Sequence, residues 1–308
     1  SDDNYWRDFP RAGLSLTQRL LPASGSLHWS QGDLSMMAQV LQFQTLQDIS
    51  SPITPPYNRS PQIQARYNKW NVQGFDAAIT ADTTRFEADF SQVPGGATSI
   101  LRNGQRSFAA LQLSRPWLSS WGFFTPKVQL HGTRYQFDTA LTNGQVEVDR
   151  LLPTFSLDTG LVYERDANFF NRELRQTLEP RAFFVRTPFK DQSALPTYDS
   201  GATDFNLTTI YSENPYVGQD RIADNNLVTL GVNSRFFDAT TGAELARFGL
   251  AQRFRFSDQL VRLPGESPVA SGFSDILLGA GMRWDNRWTL DATHQFDAQT
   301  HNSTRSTL

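Results

Sequence analysis

Three stretches carry side chains whose types and spacing could do chemistry. "ENPYVGQDRIAD" holds Asp220, Arg221 and Asp224, two carboxylates flanking a guanidinium, which suits a hydrogen-bonded loop or lumen cluster. A structural tether is the favoured reading there, ahead of direct contact with a ligand. "QTLEPR" sets Glu179 and Arg181 on one parity of an extended chain, where they can bridge neighbouring strands; Pro180 between them interrupts a ladder bond. "LARFGLAQRFRF" puts Arg247, Arg253 and Arg255 on one parity and Phe248, Leu250, Phe254 and Phe256 on the other. Such arginines can hold phosphates by charge-assisted bonds or pair with neighbouring acids.

Catalytic chemistry is poorly represented. The four histidines, His28, His131, His294 and His301, are widely spaced, and His294 falls on the apolar parity of its segment. The chain has no cysteine, so a thiol nucleophile, a Cys-ligated zinc and a disulfide framework are excluded from it. No catalytic, cofactor or metal site is expected. With 28 basic and 31 acidic residues, the chain also lacks the charge footprint of a nucleic-acid binder.

The elements that position these residues repeat with period two. "TRFEADFS" sets Phe86, Ala88 and Phe90 against Arg85, Glu87 and Asp89, and "TFSLDTGLVYE" sets Phe155, Leu157, Leu161 and Tyr163 against Ser156, Asp158, Gly160 and Glu164. "FDAAITAD", "DILLGAGMRWD" and "RWTLDATHQFD" alternate in the same way. Two segments switch parity, "KVQLHGTRYQF" after Leu130 and "LSMMAQVLQFQ" between Val40 and Leu41, as a β-bulge or a strand leaving a membrane band would. Asn103-Gly104 and Asn143-Gly144 suit tight hairpins, whereas "DISSPITPPYNRSP", "DQSALPTYDSGATD" and "VRLPGESPVASG" are long connections. Short and long connections of this kind, with aromatics such as Tyr163, Phe236, Phe237, Phe256, Trp284 and Trp288 near segment ends, fit an outer-membrane barrel.

Mean hydropathy is −0.45 and no apolar run reaches the roughly 18 to 20 residues of a membrane helix, a test to which a membrane barrel is blind. The expected fold is therefore all-β: an antiparallel outer-membrane β-barrel, incomplete, of roughly 14 to 16 strands. A soluble β-sandwich has a similar alternation and stays open as an alternative. In the barrel, Arg247, Arg253 and Arg255 face the lumen, because turning the strand over would place three guanidiniums in hydrocarbon at roughly 2 to 4 kcal/mol each.

The ordered strings "GLVYERD", "RQTLEPRAFFVRTPFKDQSALPTYDS", "SENPYVGQDRIADNNLVTLGVNSRFFD" and "VRLPGE" resemble the barrel domain of the lipopolysaccharide-assembly outer-membrane protein family (LptD/OstA). The resemblance is dense from Leu161 to Gly265 and thinner before it, in "DDNYWRDF" and "YNKWN". It implies a non-enzymatic translocon that inserts lipopolysaccharide into the outer leaflet of a Gram-negative outer membrane. It also implies partners: lipopolysaccharide, membrane lipids, a lumen-plugging lipoprotein (LptE-like) and a periplasmic bridge reached through an N-terminal domain. Residues 1–308 are expected to be part of one transmembrane barrel domain, a central slice without that periplasmic domain or the closing strands. The opening "SDDNYWRDFP" carries no targeting signal, and Pro10 and Pro22 are not assigned the family's gate role. Within the resembling strings, Glu179, Pro180, Arg181, Asp191, Gln192, Asp220, Arg221 and Asp224 are motif residues without an assigned role. A general porin and a soluble adhesin-like sandwich are the alternative functions.

Overall fold

The computed structural model describes residues 20–45, 54–89, 101–169, 172–283 and 287–308. Pro10, Phe90 and Trp284 lie outside them. The strands are β1 (Leu20–Gln31), β2 (Leu34–Thr45), β3 (Asn58–Val72), β4 (Phe75–Glu87), β5 (Gly104–Ser114), β6 (Trp117–Ser119), β7 (Gly122–Phe137), β8 (Glu147–Leu161) and β9 (Tyr163–Phe169). They continue with β10 (Arg172–Thr187), β11 (Gly201–Ala202), β12 (Tyr216–Val217), β13 (Asn225–Asp238), β14 (Glu244–Arg255), β15 (Gly272–Phe273), β16 (Ile276–Arg283), β17 (Thr289–Asp297) and β18 (Asn302–Thr307). Sixteen of these form a single antiparallel sheet that is not closed, with β1 and β18 at its ends; β11 and β12 form a separate ribbon. The only other sheet among the described residues is this ribbon of two-residue strands, too small to be the second layer of a sandwich. The fold is an incomplete antiparallel β-barrel wall.

Three of the sixteen segments continue a neighbour, and the physical reason is visible at one break. β10 pairs with β8 from Arg181 to Arg186 and with β9 from Arg172 to Leu178. Pro180 stands at the gap between those runs, where it has no N–H to donate. Its other side stays in register, opposite Val232 of β13.

Successive connections alternate between the two ends of the sheet, and the long ones all lie at one end, which they share with the short turn between β17 and β18. The turn Gln73-Gly74 has φ of 54° and 84°, the double positive φ of a tight hairpin. Asn103-Gly104 is not such a turn. Asn103 instead clamps the long connection, accepting from the Ala88 N–H at 2.9 Å and donating to the Ala88 carbonyl at 3.0 Å, while Gly104 opens β5.

The outward parity exposes Ile63, Ile79, Leu111, Leu130, Phe248, Leu250 and Leu278, and the inward parity carries Asp82, Arg106, Tyr135, Arg150, Thr229 and Arg253. Trp29, Trp70, Trp117, Trp121, Tyr163 and Trp288 are exposed towards the short-connection end; Phe256 is exposed at the other.

Neither parity switch comes from a bulge in its own strand. β7 runs in unbroken register with β5 and β8, so no bulge interrupts it. Tyr135 and Phe137 point inward by the strand's own alternation and are apolar because a loop covers them there, in a buried cluster with Tyr57, Phe86, Leu141, Leu195 and Tyr198. Near Val40 the register does shift, but the extra residue is on the neighbour: β3 uses Arg59 to Gln62 where β2 uses Leu41 to Gln39, with Ser60-Pro61 bulging between them.

Candidate functional site

The connection between β10 and β13, residues 188–224, folds back over the inward face of the sheet. Four strand arginines hold it. Arg106 of β5 forks onto Asp199 at 2.6 and 2.7 Å and donates to Asp220 Oδ1 at 2.7 Å. Arg150 of β8 donates to Gln192 Oε1 at 2.7 Å and to the carbonyls of Gln219 and Asp220 at 2.6 and 2.5 Å. Arg253 of β14 donates to the Ile210 carbonyl. Arg181 of β10 lies 4.1 Å from the centre of the Tyr211 ring and forks onto Asp158 of β8.

Asp220 is the hub. Its Oδ1 accepts from Arg106 and from the Tyr135 hydroxyl at 3.2 Å, and its Oδ2 from the backbone N–H groups of Tyr198 and Asp199 at 2.7 and 2.9 Å. Full burial of a carboxylate is tolerable only with this kind of complete saturation. Burial pushes the Asp220 carboxyl up, with Arg106 pulling the other way. Burial also opposes the charge on Asp199, but the Arg106 fork outweighs it and holds that carboxyl at about 2.

The wall is shaped for the loop as well as charged for it. A Cβ at Gly231 would run into the Tyr211 hydroxyl, and one at Gly279 into the Leu207 side chain. These glycines leave the recesses into which the loop's Tyr211 and Leu207 fit.

The motif residues take separate places. Gln192 is buried and joins Arg150 to Ile222, accepting from the Ile222 N–H at 3.1 Å and donating to its carbonyl at 2.8 Å. Arg221 ties the loop to itself and to the next one, donating to the carbonyls of Leu195 at 2.7 Å and Arg262 at 3.2 Å. Asp224 accepts from the Leu260 and Val261 N–H groups at 3.0 and 2.9 Å, anchoring the connection after β14. Asp191 is apart from the cluster; it caps its own turn by accepting from the Ser193 N–H, which lowers its carboxyl. Glu179 lies 3.5 Å from Arg235, on the next strand. Arg253 is buried under the loop, Arg255 is 3.4 Å from Asn225 Oδ1, and Arg247 reaches Asp291 at 2.7 Å in an exposed pair. Arg106, Arg150 and Asp199 are not among the motif residues of the sequence reading. The available signal was an arginine alone among small or apolar neighbours on the inward parity of "GQRSFAAL" and "VDRLLPTFS".

No group of acids and histidines able to hold a metal occurs among the described residues. What the arrangement does chemically is hold a loop across a wall by buried ion pairs.

A single antiparallel sheet, apolar outside, polar inside and carrying a docked loop, defines the wall of an outer-membrane-type β-barrel protein. The model of the LPS transport system D family (LptD) matches residues 1–308. The chain is 55% identical over its whole length to an LPS-assembly protein LptD of Albidiferax ferrireducens, 52% to one of Acidovorax sp. and 39% to one of Ralstonia nicotianae. It spans 38% of the length of each of these relatives. The chain belongs to the LPS transport system D family.

Proposed function

We propose that this chain is the barrel portion of the translocon that inserts lipopolysaccharide into the outer leaflet of the Gram-negative outer membrane. The match to the family along residues 1–308 carries the reading, since the relatives are named for lipopolysaccharide assembly. The two faces of the sheet support it: the Phe and Leu rows contact lipid, and the Arg and Asp rows, Arg247, Arg253 and Arg255 among them, face a hydrated lumen. The work is transport; no bond of the cargo is made or broken.

The docked loop occupies the inward face where cargo and a plugging lipoprotein would pass, so its arginine tethers set how much lumen stays open. The periplasmic bridge would be met by the part of the relatives outside this chain.

The test is a depletion strain complemented with the intact protein. Loss of the protein should lower lipopolysaccharide at the cell surface, read by susceptibility to large apolar antibiotics and by surface labelling of the glycolipid, and wild-type protein should restore it. Unchanged surface lipopolysaccharide on depletion would sink the assignment. In planar bilayers the translocon reading expects no steady open-pore current, whereas a porin would conduct.

A further inference from the structure

We propose that Arg115 is a phosphate-binding site on the outward face of the wall, taking the phosphodiester of a phospholipid in the periplasmic leaflet; the proposal rests on the membrane reading above. β5, Arg115 and β6 run as one line along β7, because Ser114 pairs with Lys127, the Arg115 N–H donates to the Pro126 carbonyl at 3.1 Å and Trp117 pairs with Phe124. Leu111, Leu113, Arg115 and Trp117 therefore share the outward parity. On the other side β4 stays in register to Asp76, opposite Ser114, which sets Phe75 beside Arg115. The guanidinium carbon lies over the Phe75 ring at 4.8 Å and over the Trp117 ring at 5.1 Å. Two rings at adjacent positions fix the direction of a long side chain and hold its charge by cation–π attraction.

Rings hold the cation but supply no acceptor. The Arg115 side chain makes no hydrogen bond or ion pair among the described residues, so the donors of its guanidinium fork are free for an oxygen anion. Two other outward cations at this end differ: Lys69 is bound to Asp33 at 2.6 Å and Arg165 to Gln176 Oε1 at 2.7 Å. Depth selects the anion. Short turns mark the periplasmic side of such barrels, and Arg115 stands one ladder step, about 7 Å, beyond the exposed Leu113 towards that side. Trp117 and Trp121 are exposed there, as an aromatic belt at headgroup level requires. A phosphodiester at that height leads its acyl chains along the exposed cross-strand pairs Leu113–Val128 and Leu111–Leu130. This leaflet is the one the cargo does not enter, so the occupant is phospholipid. β4, β5 and β7 are each paired on both sides within this chain, so no strand from elsewhere can come beside the site.

The test reconstitutes the intact protein in digalactosyldiacylglycerol vesicles, which carry no phosphate, doped with phosphatidylglycerol bearing an acyl-chain diazirine. Photolabelled residues are mapped by mass spectrometry. Labelling at Leu113 and Val128 should exceed that at the outward Leu178 by about ten-fold, the ratio that one charge-assisted bond yields. A diacylglycerol with the same diazirine chain should label all three alike. The phosphatidylglycerol excess should vanish in Arg115→Ala, fall when Phe75→Leu and Trp117→Leu are combined, and persist in Lys69→Ala. Equal labelling by phosphatidylglycerol at all three positions, an excess that survives Arg115→Ala, or protein–protein cross-links at Leu113 would overturn the site. Loss of the excess to added inorganic phosphate, or displacement by less lipopolysaccharide than unlabelled phosphatidylglycerol, would overturn the phospholipid as its occupant. Absence of diacylglycerol label at Leu113, Val128 and Leu178 alike would instead overturn the membrane reading beneath it.

Discussion

The inward faces of β1–β2 and of β5–β8 obey the same alternation and differ in fate. In β1 and β2, Ser24, Ser26 and His28 stand on the face of Gln39 and Leu41, none of them buried. In β5–β8, Arg106 and Arg150 on the equivalent parity retain 0% and 2% of their accessible surface. Nothing in strand geometry distinguishes them. The difference is the loop 188–224, which reaches one region and not the other, and it turns a solvated polar face into a buried ionic core. Binary pattern therefore sets which way a side chain points, and tertiary contact sets how much its charge matters.

The sharpest way to break this contrast is to remove the hub. Asp220→Ala leaves Arg106 and the Tyr198 and Asp199 N–H groups buried with fewer partners, at a cost of about 3 to 5 kcal/mol in loop docking. Limited proteolysis of the reconstituted protein should then cut within residues 188–224 while the strands stay protected; an uncut loop would show that the network does not hold it.

The next effect is steric. Gly231→Ala drives a methyl group into Tyr211 and should weaken docking by about 1 to 3 kcal/mol, by the same protease assay. Gly25→Ala in β1 is the contrast, since a Cβ there meets nothing within 4 Å, and it should be neutral or slightly stabilising. If both substitutions behave alike, the recess at Gly231 is not a docking feature.

Acid should release the loop from the buried region alone. Folding lowers the Asp199 carboxyl from its ordinary 3.8 to about 2, so its ionised form contributes docking energy above about pH 4. That contribution fades as pH falls from 4 towards 2, and protease protection of the loop should fade with it. Asp220, whose shift is opposite, acts only above its ordinary 3.8, where protection rises as pH falls, so protection that stays flat between pH 4 and 2 would mean that the Asp199 fork does not hold the loop.

The smallest effect sharpens the other side of the comparison. Ser26→Ala removes only an exposed contact to His28 at 3.2 Å and should change stability by less than about 0.5 kcal/mol in thermal unfolding in detergent. A larger loss would mean that β1 carries contacts of its own like those of β5.

Legibility follows the range of the interaction. Outward and inward parity, the break at Pro180 and the importance of "GQDRIAD" are local properties, readable from neighbours along the chain. The exchange of parity at Tyr135 and Phe137 was readable, but its cause was not. It depends on Tyr198, which reaches that strand only through the folded loop. Arg106 and its acids are 93 and 114 residues apart, and no period connects them.

By itself, the amino-acid order determined a two-faced antiparallel wall, because alternation is imposed by backbone geometry within each strand. That no apolar run in this sequence is long enough for a membrane helix is read in the same local way. Only the tertiary structure decided that residues 188–224 turn inward, which arginines become buried, and that Gly231 and Gly279 serve as recesses. Those outcomes require side chains far apart in sequence to desolvate one another, and the energy of a buried ion pair exists only once both partners have left water.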